Sequence, residues 1–135
     1  MSDHKLVIRR TNIKDTEGIN KILKKTYSYD SPYTFDNIRA QLNHFPEGQV
    51  VVEYDGQVVG FCMSFIINEK EVLGAHTWEE ITGMGFASRH DPLGNCLYGM
   101  DICVDPDYRG MKIGERLYNE RQKICQQHEL KAIVF

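Results

Sequence analysis

Residues 104–118 read VDPDYRGMKIGERLY, and they place a proline and two glycines directly before an amphipathic run. At a helix start the first backbone N–H groups lack partners within the helix, and the helix dipole adds partial positive charge there. Gly110 and Gly114 remove side chains where an anion would approach, and Arg109 and Lys112 add positive charge. Two interpretations stay open: a plain strand-to-helix turn in which Gly110 has a positive φ, and an open helix end that holds a diphosphate.

The segments on either side of this stretch predict a strand, a helix and a second strand. Residues 97–104, LYGMDICV, are apolar and β-prone, and the chain ends on a second such run, LKAIVF. Between them a helix is expected from Ile113 to about His128, with one apolar face formed by Ile113, Leu117, Ile124 and Cys125. A strand–helix–strand unit implies two parallel strands joined by a right-handed crossover.

The upstream part predicts the remaining elements of one domain that spans residues 1–135. KLVIRRT is a first strand, residues 12–30 form a helix, and a second helix starts near Thr34 with Phe35, Ile38 and Leu42 on one face. Two β-rich runs in residues 50–67 flank Asp55-Gly56, a hairpin signature. The long segment before the next strand holds a short helix around Thr77 to Ile81. The predicted order is β-α-α-β-β-loop-β-α-β, an α/β (α+β) fold with a mixed central sheet.

Composition limits the classes of partner. The formal net charge is −3, which disfavours nucleic acid, and no apolar run reaches the length of a membrane span, so no membrane partner is expected. Cysteines occur without CxxC or metal-ligand spacing, so we expect reduced thiols, no metal and a cytoplasmic location. These cysteines are Cys62, Cys96, Cys103 and Cys125.

The spacing of residues 104–118 resembles the acyl-CoA-binding motif of the GNAT acetyltransferase family, V-x-P-x-x-[RQ]-x-x-G-x-[GA]. The residues that match stand at Val104, Pro106, Tyr108, Arg109, Gly110, Ile113, Gly114 and Leu117. Lys112 departs from the pattern, because it replaces the middle glycine. The resemblance implies that backbone N–H groups bind the diphosphate, so a lysine is tolerated if its side chain points away from CoA.

Residues 81–110 also resemble the acetyltransferase domain that precedes a nitrilase-like carbon–nitrogen hydrolase domain in some bacterial proteins. This resemblance implies that the chain is a fragment, because GNAT domains continue after the fifth strand with one more helix and two strands. The apolar KAIVF strand would then lie at an unfinished sheet edge. We therefore expect a truncated GNAT fold and a possible homodimer.

The family resemblance implies acetyl-CoA as co-substrate and a small-molecule or peptide amine as acceptor. The backbone of Ile102, Cys103 and Val104 would pair with the pantetheine amides. The diphosphate would lie on the N–H groups of Arg109, Gly110, Met111, Lys112, Ile113 and Gly114. The acceptor amine would then attack the thioester directly, with catalysis by positioning and proton removal.

Asp101 and Glu80 are the candidate catalytic residues. Asp101 lies in the fourth strand near the expected thioester, where an acid within an apolar run needs a partner or a role. Glu80, with Glu79 beside it, borders the expected acceptor site. A structural hydrogen bond for Asp101 and plain solvation for the glutamates are the alternatives. His76 and His90 are further candidates for the base, and Trp78 is a candidate for the floor of the acceptor pocket. Surface positions for the histidines and a loop anchor for Trp78 are the alternatives.

The sequence features are compatible with three functions. The first is an N-acetyltransferase, the second is a CoA-binding regulatory module of a larger amidohydrolase-fused protein without transfer activity, and the third is an αβ domain without a ligand. The motif favours CoA binding in the first two.

Overall fold

The computed structural model describes residues 5–27, 33–74 and 76–135. In this part of the chain the strands are β1 (Leu6–Arg10), β2 (Val50–Tyr54), β3 (Gln57–Ile67), β4 (Cys96–Val104) and β5 (Ala132–Val134). The helices are α1 (Thr16–Tyr27), α2 (Phe35–His44), α3 (Glu69–Leu73), α4 (Trp78–Thr82) and α5 (Ile113–Gln127). Short 3-10 turns span Ile13–Asp15, Pro46–Gly48 and Pro106–Tyr108.

The five strands form one mixed sheet in the order β1-β2-β3-β4-β5. The strand pairs β1–β2, β2–β3 and β3–β4 are antiparallel. The pair β4–β5 is parallel, and α5 connects these two strands along the chain. This confirms the predicted mixed sheet and the strand–helix–strand unit at its end.

Both faces of the sheet are covered, because successive side chains of a strand point to opposite faces. Phe61 and Phe65 of β3 pack with Ile19 of α1 and Ile38 of α2 on one face. On the other face, Val52 of β2 and Val59 and Cys62 of β3 pack against α5. The α5 residues of this cluster are Ile113 and Leu117. The sheet is therefore the middle layer of the fold.

The hairpin expected at Asp55-Gly56 joins β2 and β3. Asp55 has φ 51° and Gly56 has φ 82°, both in the left-handed region that a tight two-residue hairpin loop requires. An aspartate tolerates this region better than most residues, and glycine occupies it without steric cost. The prediction is confirmed.

The structure differs from the sequence prediction at the buried face of α2 and in the long connection between β3 and β4. Phe35 does not share the buried face of α2 with Ile38, because it lies in the first turn and is 58% exposed. The buried face instead contains Asn37 and Gln41, whose side-chain amides donate to the carbonyls of Met84 (3.2 Å) and Gly85 (2.9 Å). These bonds fix the segment after α4 on α2, so the long connection is folded and contains α3 as well as the predicted short helix. Residues 28–30 of the predicted first helix lie outside the described residues.

The strand β4 is irregular at Met100. Met63 pairs with Asp101 and Ser64 pairs with Gly99, so Met100 is an extra residue without a partner on β3. Such a bulge bends a strand and redirects its side chains. On the other side of β4, pairing with β5 runs only from Cys96 to Tyr98. Residues 99–104 therefore have an open edge in the described chain.

No helix in the three described segments is long and apolar enough to cross a membrane. Within the same segments, no group of three or more His, Cys, Asp or Glu residues is arranged to hold a metal ion. The cytoplasmic location and the homodimer stay predictions.

Candidate functional site

The start of α5 is open. Lys112 is the N-cap in the left-handed conformation (φ 59°, ψ 30°), and its side chain makes no capping bond. Among the described residues, none of the six backbone N–H groups from Arg109 to Gly114 donates a hydrogen bond. Unsatisfied N–H groups at a helix start, following a left-handed residue, form a concave site that suits anions.

Two glycines keep this site free of side chains. Gly110 has φ 96°, and a Cβ built there would have no atom within 4 Å. At Gly114 the nearest atom would be Val104 Cγ2 at 3.8 Å. The positive φ of Gly110 agrees with the turn interpretation, and the open space agrees with the anion interpretation, so both reasons for a glycine apply here.

The charges around the turn are an ion cluster of Lys25 with two aspartates and, in the part of the chain that the structure describes, two cations without a salt bridge. Lys25 Nζ of α1 lies 2.6 Å from both Asp105 Oδ1 and Asp107 Oδ2, which anchors the turn to α1. Arg109 and Lys112 are exposed, and neither forms a salt bridge with any carboxylate that the structure describes. Their charge is therefore available to an anion at the helix start.

The edge of β4 leads toward this turn. Asp105 N–H donates to Val59 O at 2.8 Å, and Cys103 pairs with Phe61, so these two residues direct backbone groups to β3. By alternation, Ile102 and Val104 direct theirs to the open edge. The N–H of Ile102 is occupied by Asp101 Oδ1 at 2.9 Å, and Cys103 turns its thiol inward to Thr26 Oγ1 at 3.4 Å.

Asp101 is half-buried and makes a polar contact beside the bulge. Its Oδ2 accepts a hydrogen bond from the Tyr33 hydroxyl at 2.8 Å. Burial raises the pKa of Asp101, and the bonds from Tyr33 and the Ile102 N–H, with the charge of Arg121, offset part of that rise. A carboxylate with a raised pKa is a better proton acceptor than an ordinary aspartate.

Trp78 closes the site from α4. Its Nε1–H donates to Met100 O at 3.0 Å, and its ring meets that of Tyr33 edge-on at 6.4 Å. Trp78 is therefore anchored, and it still exposes 37% of its surface beside Tyr33, the hydrogen-bond partner of Asp101. This position agrees with either role of Trp78, a loop anchor or the floor of the acceptor pocket.

The structure does not bring Glu80 to Asp101. Glu80 is exposed at the start of α4, and it lines a surface pocket with Glu71, His76 and Arg89, to which β4 contributes no residue. His90 serves the core, because its Nδ1 accepts the Ile66 N–H at 3.0 Å and burial lowers its pKa.

Sequence reasoning missed Tyr33 and Lys25 as parts of this site. Tyr33 meets Asp101 across 68 positions, and Lys25 meets Asp105 across 80. No local pattern signals such contacts, since each depends on how α1 and α2 lie on the sheet.

The family model described as the acetyltransferase (GNAT) family matches residues 16–135. The chain belongs to the GNAT family. The match includes β4, the turn and α5.

Two curated relatives come from Bacillus subtilis (strain 168). The probable hydrolase YhcX is 38% identical over 98% of this chain, and the alignment covers 26% of YhcX. The uncharacterized N-acetyltransferase YkwB is 27% identical over 96% of this chain, and the alignment covers 59% of YkwB. The chain thus spans about a quarter of one relative and under two thirds of the other.

Solved structures share the GNAT fold. The GphF GNAT-like decarboxylase in complex with isobutyryl-CoA superposes with a TM-score of 0.67 at 22% identity, over 84% of this chain and 55% of that chain. At this identity the likeness concerns the fold.

Proposed function

We propose that this chain binds acetyl-CoA and transfers the acetyl group to a primary amine. The observation that carries the proposal is the row of six backbone N–H groups, from Arg109 to Gly114, that donate no hydrogen bond within the described chain and lie at an open helix start. The diphosphate would accept hydrogen bonds from these groups, with Arg109 and Lys112 as flanking cations. The fold neighbour GphF was solved with isobutyryl-CoA, which supports a CoA thioester as the ligand.

The pantetheine arm would lie along the open edge of β4. Residues 99–104 lack a strand on that side, so amides of the arm can pair with the edge groups of Ile102 and Val104 as an added strand does. Because the Ile102 N–H already binds Asp101, its carbonyl and the groups of Val104 are the better partners. Cys103 contributes to the ladder with β3 instead.

Asp101 would act as the proton acceptor. In the proposed step Asp101 takes a proton from the ammonium form of the acceptor, and the nitrogen lone pair attacks the thioester carbonyl carbon. The C–N bond forms and the C–S bond breaks, so the sulfur leaves with the electron pair. The nitrogen then loses its second proton as the neutral amide forms, and the CoA thiolate takes up one proton to become the thiol. The buried position that raises the pKa of Asp101 suits it to accept this proton.

The acceptor would be a small-molecule or peptide amine that enters beside Trp78 and Tyr33. The Trp78 ring is 37% exposed and meets the buried Tyr33 ring edge-on, and the Tyr33 hydroxyl bonds Asp101, so Trp78 offers an apolar wall for the carbon chain of an amine. Glu80 has no part in this proposal, because it faces a different pocket.

One observation favours a second function, a CoA-binding regulatory module without transfer activity. YhcX, 38% identical, is named a probable hydrolase, and the region similar to this chain is 26% of its length. In such a protein the hydrolase activity would belong to another part, and this domain would report CoA thioester levels to it.

Two measurements on the chain test these proposals. Calorimetric titration with acetyl-CoA, supported by a thermal shift, measures binding, since a ligand of the native state raises its stability. Thiol release with a panel of primary amines measures transfer. Binding with thiol release supports the enzyme, and binding without release across the panel supports the regulatory module. The absence of binding at millimolar acetyl-CoA would contradict both.

A further inference from the structure

The guanidinium of Arg121 lies within the core beneath the bulge of β4. The residue is 1% exposed, and its Nη2 donates to Met63 O at 3.1 Å and to Asp101 O at 2.6 Å. Within the described segments Arg121 forms no salt bridge, and its buried Nε has no hydrogen-bond partner. A buried cation held by main-chain carbonyls is costly to place, so its contacts need an explanation.

The bulge supplies that explanation. An antiparallel ladder normally satisfies the carbonyls of a facing pair with N–H groups of the partner strand. Where Met100 is inserted, the ladder between β3 and β4 is disrupted, and one nitrogen of Arg121 bonds the carbonyls of both Met63 and Asp101. Arg121 thus ties the two strands together at the ladder pair next to the bulge.

The bulge is held from the other face as well. Trp78 of α4 donates to the carbonyl of Met100, whereas Arg121 of α5 binds the carbonyl of Asp101, the next residue. We call Arg121 and Trp78 the bulge clamp. The clamp fixes two successive peptide groups from opposite sides, and the second of them carries the Asp101 carboxylate.

The surroundings are shaped to admit Arg121. It follows Leu117 and precedes Ile124 on the buried face of α5, where an apolar residue would pack without burying a charge. At Gly99 of β4 a Cβ would lie 2.8 Å from Arg121 Nη1 and 3.0 Å from its Cζ. A glycine at this strand position therefore leaves the room that the guanidinium occupies.

We propose that Arg121 is a positioning residue, which holds the β4 bulge so that the Asp101 carboxylate and the open strand edge face the acyl group. The inference rests on the proposed function for the acyl group and the proton acceptor. The bulge clamp itself is independent of the proposed function, because it consists of contacts within the chain.

The charge of Arg121 also provides a readout that packing alone would not. The titratable and charged groups around Asp101 are Tyr33, Tyr27, Cys103 and Arg121. Arg121 is the cation among them, and it lowers the pKa of Asp101. Removing that charge therefore raises the pKa of Asp101. The ascending limb of the pH–rate profile then moves to higher pH.

The test compares Arg121→Met with Arg121→Lys in the full chain. Met removes the charge and both hydrogen bonds but keeps an apolar side chain of similar length, and Lys keeps the charge without the planar fork. Lys123→Met is the control, because Lys123 is an exposed cation of the same helix. Steady-state kinetics give kcat and the KM for acetyl-CoA across pH, and carbon-13 NMR follows the titration of the Asp101 carboxyl.

We expect Arg121→Met to lower kcat by about tenfold or more with the KM for acetyl-CoA within about twofold. Its rate profile and its Asp101 titration should move to higher pH. Arg121→Lys should keep the wild-type titration and recover part of kcat, and Lys123→Met should match the wild type. If Arg121→Met does not fold, Arg121→Lys still tests the clamp: kcat must fall while the Asp101 titration stays in place.

Unchanged kcat and an unchanged Asp101 titration in Arg121→Met would overturn the inference, as would an equal loss in Lys123→Met. If the wild type releases no thiol with any amine, the proposed function fails, but the NMR titration still decides the clamp. A titration that moves in Arg121→Met then supports the clamp, and one that does not move contradicts it.

Discussion

The Tyr33 hydroxyl donates a hydrogen bond to Asp101 Oδ2 at 2.8 Å, which joins the start of α2 to the bulged strand of the sheet. Burial disfavours the charged form of Asp101, and this bond favours it. Tyr33 therefore limits the rise in the pKa of Asp101, and it fixes the direction of the carboxylate.

Tyr33→Phe removes that bond and keeps the ring. The pKa of Asp101 should then rise further, so Asp101 stays protonated, and inactive as a base, up to a higher pH. We expect the ascending limb of kcat/KM against pH to move to higher pH, as measured by thiol release. Tyr118→Phe is the matched control, since Tyr118 is 41% exposed on α5. Identical profiles for the two variants would argue against a role of Asp101 as base.

The variants Asp101→Asn and Glu80→Gln distinguish between the two candidate general bases predicted from the sequence. Both changes are nearly isosteric and remove one ionisable group. Loss of a general base costs on the order of 10²- to 10⁴-fold, so Asp101→Asn should lose that much kcat and bind acetyl-CoA normally. Glu80→Gln should keep its rate, because Glu80 lies in another pocket. The reverse pattern in thiol release would assign the base to Glu80.

Lys112→Gly restores the glycine of the family pattern. Lys112 has φ 59°, and a left-handed conformation costs a residue with a side chain about 1 kcal/mol or more. We expect the free energy of unfolding to rise by about 1 kcal/mol, measured by urea denaturation. Lys112→Ala loses the same charge without relief of strain, so it should not gain stability. Equal stability of both variants would contradict this account of the turn.

Gly99→Ala should destabilise the chain. The added Cβ would lie 2.8 Å from Arg121 Nη1 in a buried site, so the guanidinium must shift from the bulge. The Cβ would also lie 3.0 Å from Phe135 Cδ1, so this ring is crowded as well. We expect a loss of about 1–3 kcal/mol in urea denaturation. Gly74→Ala is the control, because Gly74 has φ −83° and open space around it. A Gly99→Ala chain as stable as the control would show that the site can relax.

Gly114→Glu should abolish acetyl-CoA binding without unfolding the chain. Gly114 lies in the first turn of α5 with open space in front of it, so a glutamate fits and adds a negative charge where the diphosphate would lie. Gly110→Glu should act in the same way. Gly74→Glu and Gly56→Glu are their controls, Gly56 also having a positive φ and open space. Calorimetric titration that finds normal binding in Gly114→Glu would remove the diphosphate from this turn.

The sequence could predict the fold because its signals are local. Asp55-Gly56 specifies a hairpin, the apolar face of α5 specifies a helix, and the glycines of the turn specify an open helix end. Each depends on residues within one or two turns of chain.

The site could be predicted only in part, because its remaining contacts join distant segments. Spacing alone predicts the residues from Arg109 to Gly114 as a diphosphate site, whereas Tyr33 reaches Asp101 only once α2 lies on the sheet. Arg121 looks like one more charged residue on a helix, and its burial follows from the β4 bulge and from Gly99. Bulges depend on strand register, which composition and periodicity do not determine.

The direct test of the central claim is a titration of the nitrogen-15-labelled chain with acetyl-CoA, followed by the backbone amide resonances. The account predicts that the amides of residues 109–114 shift together, saturate with one dissociation constant, and stay unmoved in Gly114→Glu. Binding of acetyl-CoA that leaves these six amides unmoved in the unsubstituted chain would contradict it.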